Sequence, residues 1–360
     1  MRILNVMFNK GVGGVEQVFS DTTHLFLSWG WSTYTLTHVD AQSNAPLANM
    51  PLQPSASLTL RPNVLLPLLS TWKLRRFARK HAIDLVLIHN GKYANFVCRA
   101  LKHLPRVGYA HGTAPKNLHG CDHIITLTDT MKAQFLAQNF PKSSLTTLPH
   151  ALDCTLYSLP SSRLFFPDGK VRLGYLGRIE RAKGIDTLIQ AVSKLKSDNL
   201  DISLILAGSG RPAYLHKVKQ SIHTQGLTHV VAWEGWIGDK KDFFSKIDIL
   251  ILPSHSESFG LVILEAFAHG VPVIASDTDG PMSIITPNHD GFIFPRAEEN
   301  SLAATVNALI HDPHKLDACA RNAFDTLHTR YDTSNSQKTL RALLEKILRK
   351  KQERKPLESL

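Results

Sequence analysis

Two glutamates with seven residues between them, in the run Glu257-Ser-Phe-Gly-Leu-Val-Ile-Leu-Glu265, mark the segment of this chain best equipped for chemistry. The run follows an apolar stretch ending in Leu252-Pro253-Ser254, and Gly260 stands where a helix should begin. The free N–H groups of such a helix start, near Gly260 and Leu261, bind a phosphate or carboxylate through hydrogen bonds and the helix dipole. Glu265 falls roughly 7 Å along the helix axis, which suits a carboxylate gripping ribose hydroxyls while the helix end holds a diphosphate. Glu257, ahead of the helix, can reach the group that the diphosphate carries. The bland alternative is an amphipathic helix with one solvated glutamate.

A second constellation, Gly177-Arg178-Ile-Glu-Arg181-Ala-Lys183-Gly184, stands at the carboxyl end of an apolar strand at 171–176. In open parallel sheets ligands bind outside the carboxyl ends of the strands. There Arg178, as a fork, and Lys183, as a point charge, can neutralise a leaving diphosphate with no metal ion. In the first half, Gly11, Gly13 and Gly14 form a loop between a strand and a helix, as in nicotinamide-binding domains. They do not complete the dinucleotide spacing, and no acidic residue ends the second strand to hold a ribose. His89 and His111 each close a short apolar strand. His119, Cys121 and His123 alternate as metal ligands on one strand face would, but no fourth ligand has matching spacing.

These residues need strands and helices in alternation to position them. In the first half, strands are expected at 2–8, 34–38, 84–89, 106–110 and 124–128, and helices at 15–29 and 71–81. Residues 41–66 read as loop, and Thr128 or Asp129 as the N-cap of a further helix. In the second half, strands at 171–176, 202–206, 230–233, 247–252 and 272–275 alternate with helices at 184–195, 211–220, 240–246 and 261–268. Such alternation implies parallel sheets covered on both faces. The turn-rich stretch 159–168 is the expected linker between a domain at 1–158 and one at 159–334. A basic amphipathic helix follows in 335–360, expected to pack back on the first domain.

At 360 residues the chain exceeds what one core usually organises. No apolar run approaches the length of a membrane span, and 1–9 does not read as a signal peptide. Cys98, Cys121, Cys154 and Cys319 lack paired spacing, which argues for reduced thiols and a cytoplasmic location. The formal charge of +11 is unevenly spread. Residues 1–155 hold 15 Lys and Arg against 7 Asp and Glu, residues 156–334 hold 18 against 20, and residues 335–360 hold 8 against 3. A uniform nucleic-acid binder would not need that split, and no nucleic-acid partner is expected. A concentrated positive face suits an anionic bilayer or a phosphorylated lipid glycan, hence a peripheral position on the inner face of the cell membrane.

Together the two constellations resemble the retaining glycosyltransferases of family four, clearly over about 171–330 and more thinly before it. There Gly13-Gly14-Val15-Glu16 matches the family's glycine loop, 83–89 its strand ending in histidine, and His111 its active-site histidine. The resemblance implies an α/β protein of the GT-B fold, with two Rossmann-like doubly wound parallel-sheet domains facing a central cleft. It implies Arg178 and Lys183 at the donor phosphates, Glu257 and His111 at the donor sugar, and Glu265 at the ribose. Gly14, Gly208, Gly260 and Leu261 join Glu265 as donor-binding positions, with Glu16 and His89 on the acceptor side. The implied reaction moves a hexose from a nucleoside diphosphate, uridine diphosphate foremost, to a lipid-linked or lipopolysaccharide-core glycan, with no metal and no cofactor. Two departures stand out: His150-Ala151-Leu152-Asp153 replaces the family's Asn-Gly-Val-Asp, and the first domain is short, which puts the acceptor pocket in question. The rival readings are a nucleotide-sugar epimerase of the same fold, a non-catalytic glycan- or partner-binding module and, more distantly, a nicotinamide dehydrogenase.

Overall fold

The computed structural model describes every residue except 12, 45–46, 48–49, 53–55, 62–66, 90–92, 113–114, 159–163 and 355–360. Val12 of the glycine loop, and parts of the expected 41–66 loop and 159–168 linker, therefore lie outside the described residues. The chain forms two units, Met1–Pro149 with Asn335–Leu360, and His150–Ser334.

In the first unit, strand β1 (Arg2–Met7) is an apolar run buried on both faces, the pattern of a central parallel strand. It pairs with β2 (Ser32–His38) on one side and, across helix α1 (Gly14–Ser28), β3 (Ser57–Leu60) and helix α2 (Pro67–Lys80), with β4 (Leu85–His89) on the other. Helix α3 (Ala94–Ala100), β5 (Arg106–Tyr109), β6 (His123–Thr126), helix α4 (Asp129–Leu136) and β7 (Leu145–Thr147) complete the order β3-β2-β1-β4-β5-β6-β7. Thr128 caps α4 by accepting from the Met131 N–H. The 41–66 stretch is corrected: β3 lies within it, an edge strand that among the described residues pairs with β2 alone, and it is too polar to show an apolar run. The terminal helix, Thr333–Arg354, buries Leu340 and Leu344 and sets the Arg341 guanidinium 5.6 Å from the Trp29 ring.

The second unit runs β8 (Val171–Leu176), α5 (Ile185–Ser197), β9 (Ile202–Ala207), α6 (Pro212–Thr224), β10 (Val231–Gly235), α7 (Lys240–Ser245) and β11 (Ile249–Leu252). It continues through α8 (Leu261–Ala268), β12 (Val273–Ser276), α9 (Asp279–Ile284), β13 (Phe292–Phe294), α10 (Glu299–Ile310) and α11 (Pro313–Arg330). Its parallel sheet has the order β10-β9-β8-β11-β12-β13, with Leu173, Tyr175, Leu204, Ile251 and Ile274 in a core capped by Ile189 and Val306. The strand order of each sheet reverses beside its first strand, between β1 and β4 and between β8 and β11. Such a reversal opens a crevice at the carboxyl ends of the strands.

The boundary expected after residue 158 falls after Pro149, because backbone bonds tie the following residues to the end of α11. Leu152 N–H donates to Tyr331 O (2.9 Å), Thr333 N–H to Leu152 O (2.9 Å) and Cys154 N–H to Asp332 Oδ1 (3.3 Å). His150 is buried edge-on to Phe259, and burial lowers its pKa to about 3. The unfolded chain then binds a proton here from pH 6.5 downward while the folded chain stays neutral, so stability is full above pH 6.5 and falls toward pH 3. Between pH 7.5 and 5.0 this one group should cost about 2 kcal/mol. Urea denaturation should therefore show a smaller pH-dependent loss for His150→Gln than for the unaltered chain; equal losses would contradict the assignment.

Candidate functional site

The switch point of the second sheet is built by loops that touch through their backbones. Gly184 follows a single turn at Arg181–Lys183 with φ +66°, and a Cβ there would lie 1.8 Å from the Pro253 carbonyl oxygen. A Cβ at Gly208 (φ +141°) would lie equally close to the Gly177 carbonyl oxygen. Only glycine tolerates either position. The His255 and Ser256 N–H groups donate to Ala182 O (2.9 and 3.3 Å), and Ile179 N–H to Ser209 O (2.8 Å). The loops after β8, β9 and β11 are thus laced together.

That lacing brings Lys183 and Glu257, 74 residues apart, to 2.7 Å between Nζ and Oε2 with both side chains about seven-eighths buried. Glu257 Oε2 also accepts from Ser254 Oγ (3.3 Å), and the Ser254 carbonyl accepts from Ser276 Oγ (2.5 Å). Both serines are fully buried, so the carboxylate is oriented from beneath. Gly260 caps α8 in a left-handed conformation (φ +96°) and brings no side-chain cap, and Leu261 is the first helical residue. Glu265, farther along α8, holds Lys240 Nζ at 2.6 Å. Arg178 does not join the Lys183–Glu257 pair: its side chain is 60 % exposed and paired with Glu180 at 3.0 Å. Arg178 enters the site through its carbonyl, which accepts from the buried Tyr175 hydroxyl (2.8 Å).

In the first unit Gly14 is the first residue of α1, and Glu16 curls back to its start, 3.2 Å from where a Gly13 Cβ would stand. His89 and His111 meet, with Nδ1 of the first 2.8 Å from Nε2 of the second. His89 was expected on the acceptor side. It is 1 % exposed, with its other nitrogen 3.0 Å from Asn5 Oδ1, so it faces protein. His119, Cys121 and His123 take separate partners: the Phe140 ring, the Cys98 thiol at 3.6 Å and the Thr146 hydroxyl at 2.9 Å.

Lys240, Ser254 and Asn5 were missed from the sequence. Lys240 sits in a run of polar residues with nothing local to single it out, whereas Asn5, an amide inside an apolar strand, carried a signal that could have been read.

Residues 12–156 match the family model described as Glycosyltransferase Family 4, and residues 161–326 that described as Glycosyl transferases group 1. A D-inositol 3-phosphate glycosyltransferase of Arthrobacter sp. (strain FB24) is 30% identical over 204 residues, covering 54% of this chain and 48% of that protein. The lipopolysaccharide core biosynthesis glycosyltransferase LpsE of Rhizobium meliloti (strain 1021) is 28% identical over 153 residues, covering 42% and 43%. The chain therefore spans less than half the length of these curated relatives. Among solved structures, Anabaena Alr3699/HepE in complex with UDP-glucose superposes with a TM-score of 0.84 at 20% identity, over 96% of this chain and 100% of that one.

Two glycine substitutions separate close approach from backbone conformation alone. Gly169 has φ +77° and open space around it, so Gly169→Ala should cost about 1 kcal/mol. Gly184→Ala adds a collision with a main-chain oxygen and should cost about 3 kcal/mol or more. Denaturant titration of the two variants checks this; equal costs would contradict the lacing.

Proposed function

Because the chain belongs to the GT-B glycosyltransferases, with a family 4 module followed by a group 1 module, we propose that it moves a hexose from a nucleoside diphosphate to a lipid-linked or lipopolysaccharide-core glycan. In this reading uridine diphosphate is the carrier, the anomeric configuration is retained and no metal ion takes part. The observation that carries the proposal is the buried Lys183–Glu257 pair beside the uncapped start of α8, with Glu265 farther along the same helix. A cation and free N–H groups recognise a diphosphate, and carboxylates accept hydrogen bonds from sugar and ribose hydroxyls.

Each carboxylate is held by a lysine. An incoming donor offers Lys183 a phosphate in place of Glu257 and leaves Glu257 for the sugar, while Glu265 turns from Lys240 toward the ribose. Arg178 adds charge from the rim of the same loop, Gly14 and Gly208 are further donor-side positions, and Glu16 serves the acceptor side. His111 is assigned to the transferred sugar. The bond from the anomeric carbon to the diphosphate oxygen breaks, and a bond from the acceptor oxygen forms on the same face. The acceptor's proton passes to the departing phosphate. Lys183 and the α8 start stabilise the charge that develops on the leaving group. The UDP-glucose bound to Alr3699/HepE supports this choice of donor, and the name of LpsE supports the acceptor class.

A membrane-borne acceptor is also supported by α2. Leu68 is 82% exposed, and Leu69 and Trp72 are each more than half exposed. Lys73, Arg76, Arg79 and Lys80 share that helix, and Arg76 lies over the Trp72 ring at 5.5 Å. Exposed leucine and tryptophan among cations suit a helix lying in an anionic lipid interface. No helix among the described residues is long and apolar enough to cross a membrane.

A thermal-shift panel of uridine and guanosine diphosphates, run with EDTA present, tests the donor site. A native-state ligand at a hundredfold its Kd adds about 2.7 kcal/mol, so one nucleotide should raise the Tm of the unaltered chain and leave Glu265→Ala unmoved. No shift at millimolar nucleotide would turn the reading toward a binding module, and donor turnover without acceptor toward an epimerase. For the membrane, sedimentation with phosphatidylglycerol vesicles should capture the unaltered chain and lose a Leu68→Glu, Trp72→Glu variant. Equal recovery of the two would remove α2 from the argument.

A further inference from the structure

We propose that Asn5 and His89 are positioning residues that fix the tautomer and plane of the His111 ring. The proposal rests on the assignment of His111 to the transferred sugar, but its first test does not.

The argument follows hydrogen atoms from the core outward. Asn5 is fully buried in β1, and its Nδ2 lies 3.2 Å from the Phe19 carbonyl, which can only accept. Nδ2 also faces the hydroxyls of Thr22 (3.2 Å) and Thr23 (3.0 Å). Both threonines spend their own hydrogens on carbonyls of α1, Thr22 on Val18 O (2.8 Å) and Thr23 on Phe19 O (2.8 Å), so they offer lone pairs to the amide. These three contacts settle which end of the amide is nitrogen, an assignment that must come from the network. Asn5 Oδ1 therefore points at His89 Nε2, 3.0 Å away.

An amide oxygen only accepts, so His89 carries its hydrogen on Nε2. The Thr22 hydroxyl, 3.3 Å from that nitrogen, has no hydrogen left to compete. Neutral His89 is then an acceptor at Nδ1, and His111 Nε2 must donate across the 2.8 Å contact. The ring centroids are 5.1 Å apart and the planes differ by 9°, the arrangement of two imidazoles joined nitrogen to nitrogen in one plane. The Phe19 ring stands edge-on to His89, and Tyr109 stacks on His111 with centroids 4.8 Å apart, so both rings are held by aromatic neighbours. Neutral His111 thus has its lone pair on Nδ1, an atom shielded from water.

Proton uptake obeys the same wiring. If His111 takes the charge, both of its nitrogens carry hydrogen. If His89 takes it, His89 Nδ1 donates to His111 Nε2, and the His111 hydrogen must sit on Nδ1. One added proton therefore appears at His111 Nδ1 in either case, and the Asn5–His89 arm converts that nitrogen from acceptor to donor in one step. A wrong tautomer at an active-site histidine abolishes most of its contribution without moving the ring.

Nitrogen-15 NMR of the histidine side chains in the unaltered, ligand-free chain is the first test. At a pH where the pair is neutral, both rings should be in the Nε2–H form; an Nδ1–H form for either would overturn the proposal, whatever the enzyme's substrate. The second test is kinetic. Asn5→Leu keeps the branched shape and removes the acceptor, and should lower kcat about tenfold or more with a KM for donor changed less than threefold. Asn5→Asp restores the acceptor and adds a charge, and should recover most of kcat while moving the acid limb of the pH profile upward by at least half a unit. A purely structural asparagine would give the same pH profile in every variant that turns over, and that result would overturn the positioning role.

Discussion

The second unit depends on backbone passing backbone with no side chain between. The loop after β8 lies against the loop after β11 at Gly184 and against the loop after β9 at Gly208, each time with a carbonyl oxygen where a Cβ would stand. Gly280 repeats the constraint a strand further on, with its N–H donating to Glu257 O and its α-carbon pressed to the backbone of Phe259. From these contacts follows the geometry that matters. Lys183 and Glu257 meet because their loops are in register, and the buried serines 254 and 276 hold the carboxylate in place. An ion pair this far from water is weak evidence for stability in itself. Its value lies in keeping two charged groups poised at a helix start that carries charge complementary to phosphate.

The first unit uses a different device on a similar sheet. Here the glycine loop leads into α1, and the polar connection runs inside the core, from the threonines of α1 through Asn5 to His89 and His111. A buried amide costs about 1–3 kcal/mol when left unsatisfied, yet every polar atom of Asn5 is bonded. The two units thus share topology and differ in how they hold functional groups, one by loop contact and the other by a buried hydrogen-bond chain.

The strands and helices of the second unit from β8 to β12 were legible because their signals are local, whereas α9, β13, α10 and α11 were not read. Residues 171–176 and 261–268 are mostly apolar runs, broken by Arg172 and Glu265 and bounded by glycine and polar residues, and the structure starts and ends both elements where the sequence does. Glu257, Gly260 and Glu265 stood out for the same reason, since their spacing lies within one short segment, and Lys183 stood out within its own loop before Gly184. Their meeting did not, because 74 residues separate Lys183 from Glu257. The edge strand β3 was not, because pairing on one side needs no apolar run. The partnership of Lys240 with Glu265 and the outward turn of Arg178 to Glu180 depend on how separate elements pack. His89 was legible as a strand-ending histidine but not as a buried one, because burial is set by α1 and β1 together.

The central claim is that the crevice at the β8–β11 switch point holds a nucleoside diphosphate. Hydrogen–deuterium exchange of the full chain with and without uridine diphosphate tests it most directly, since the ligand's partners include backbone N–H groups. Slowed exchange in peptides covering 177–184, 207–211 and 257–265, with the first unit's 106–111 unchanged, is the predicted result. Unchanged exchange in all three second-unit peptides at saturating nucleotide, or protection that falls at the glycine loop after β1 instead, would contradict the account.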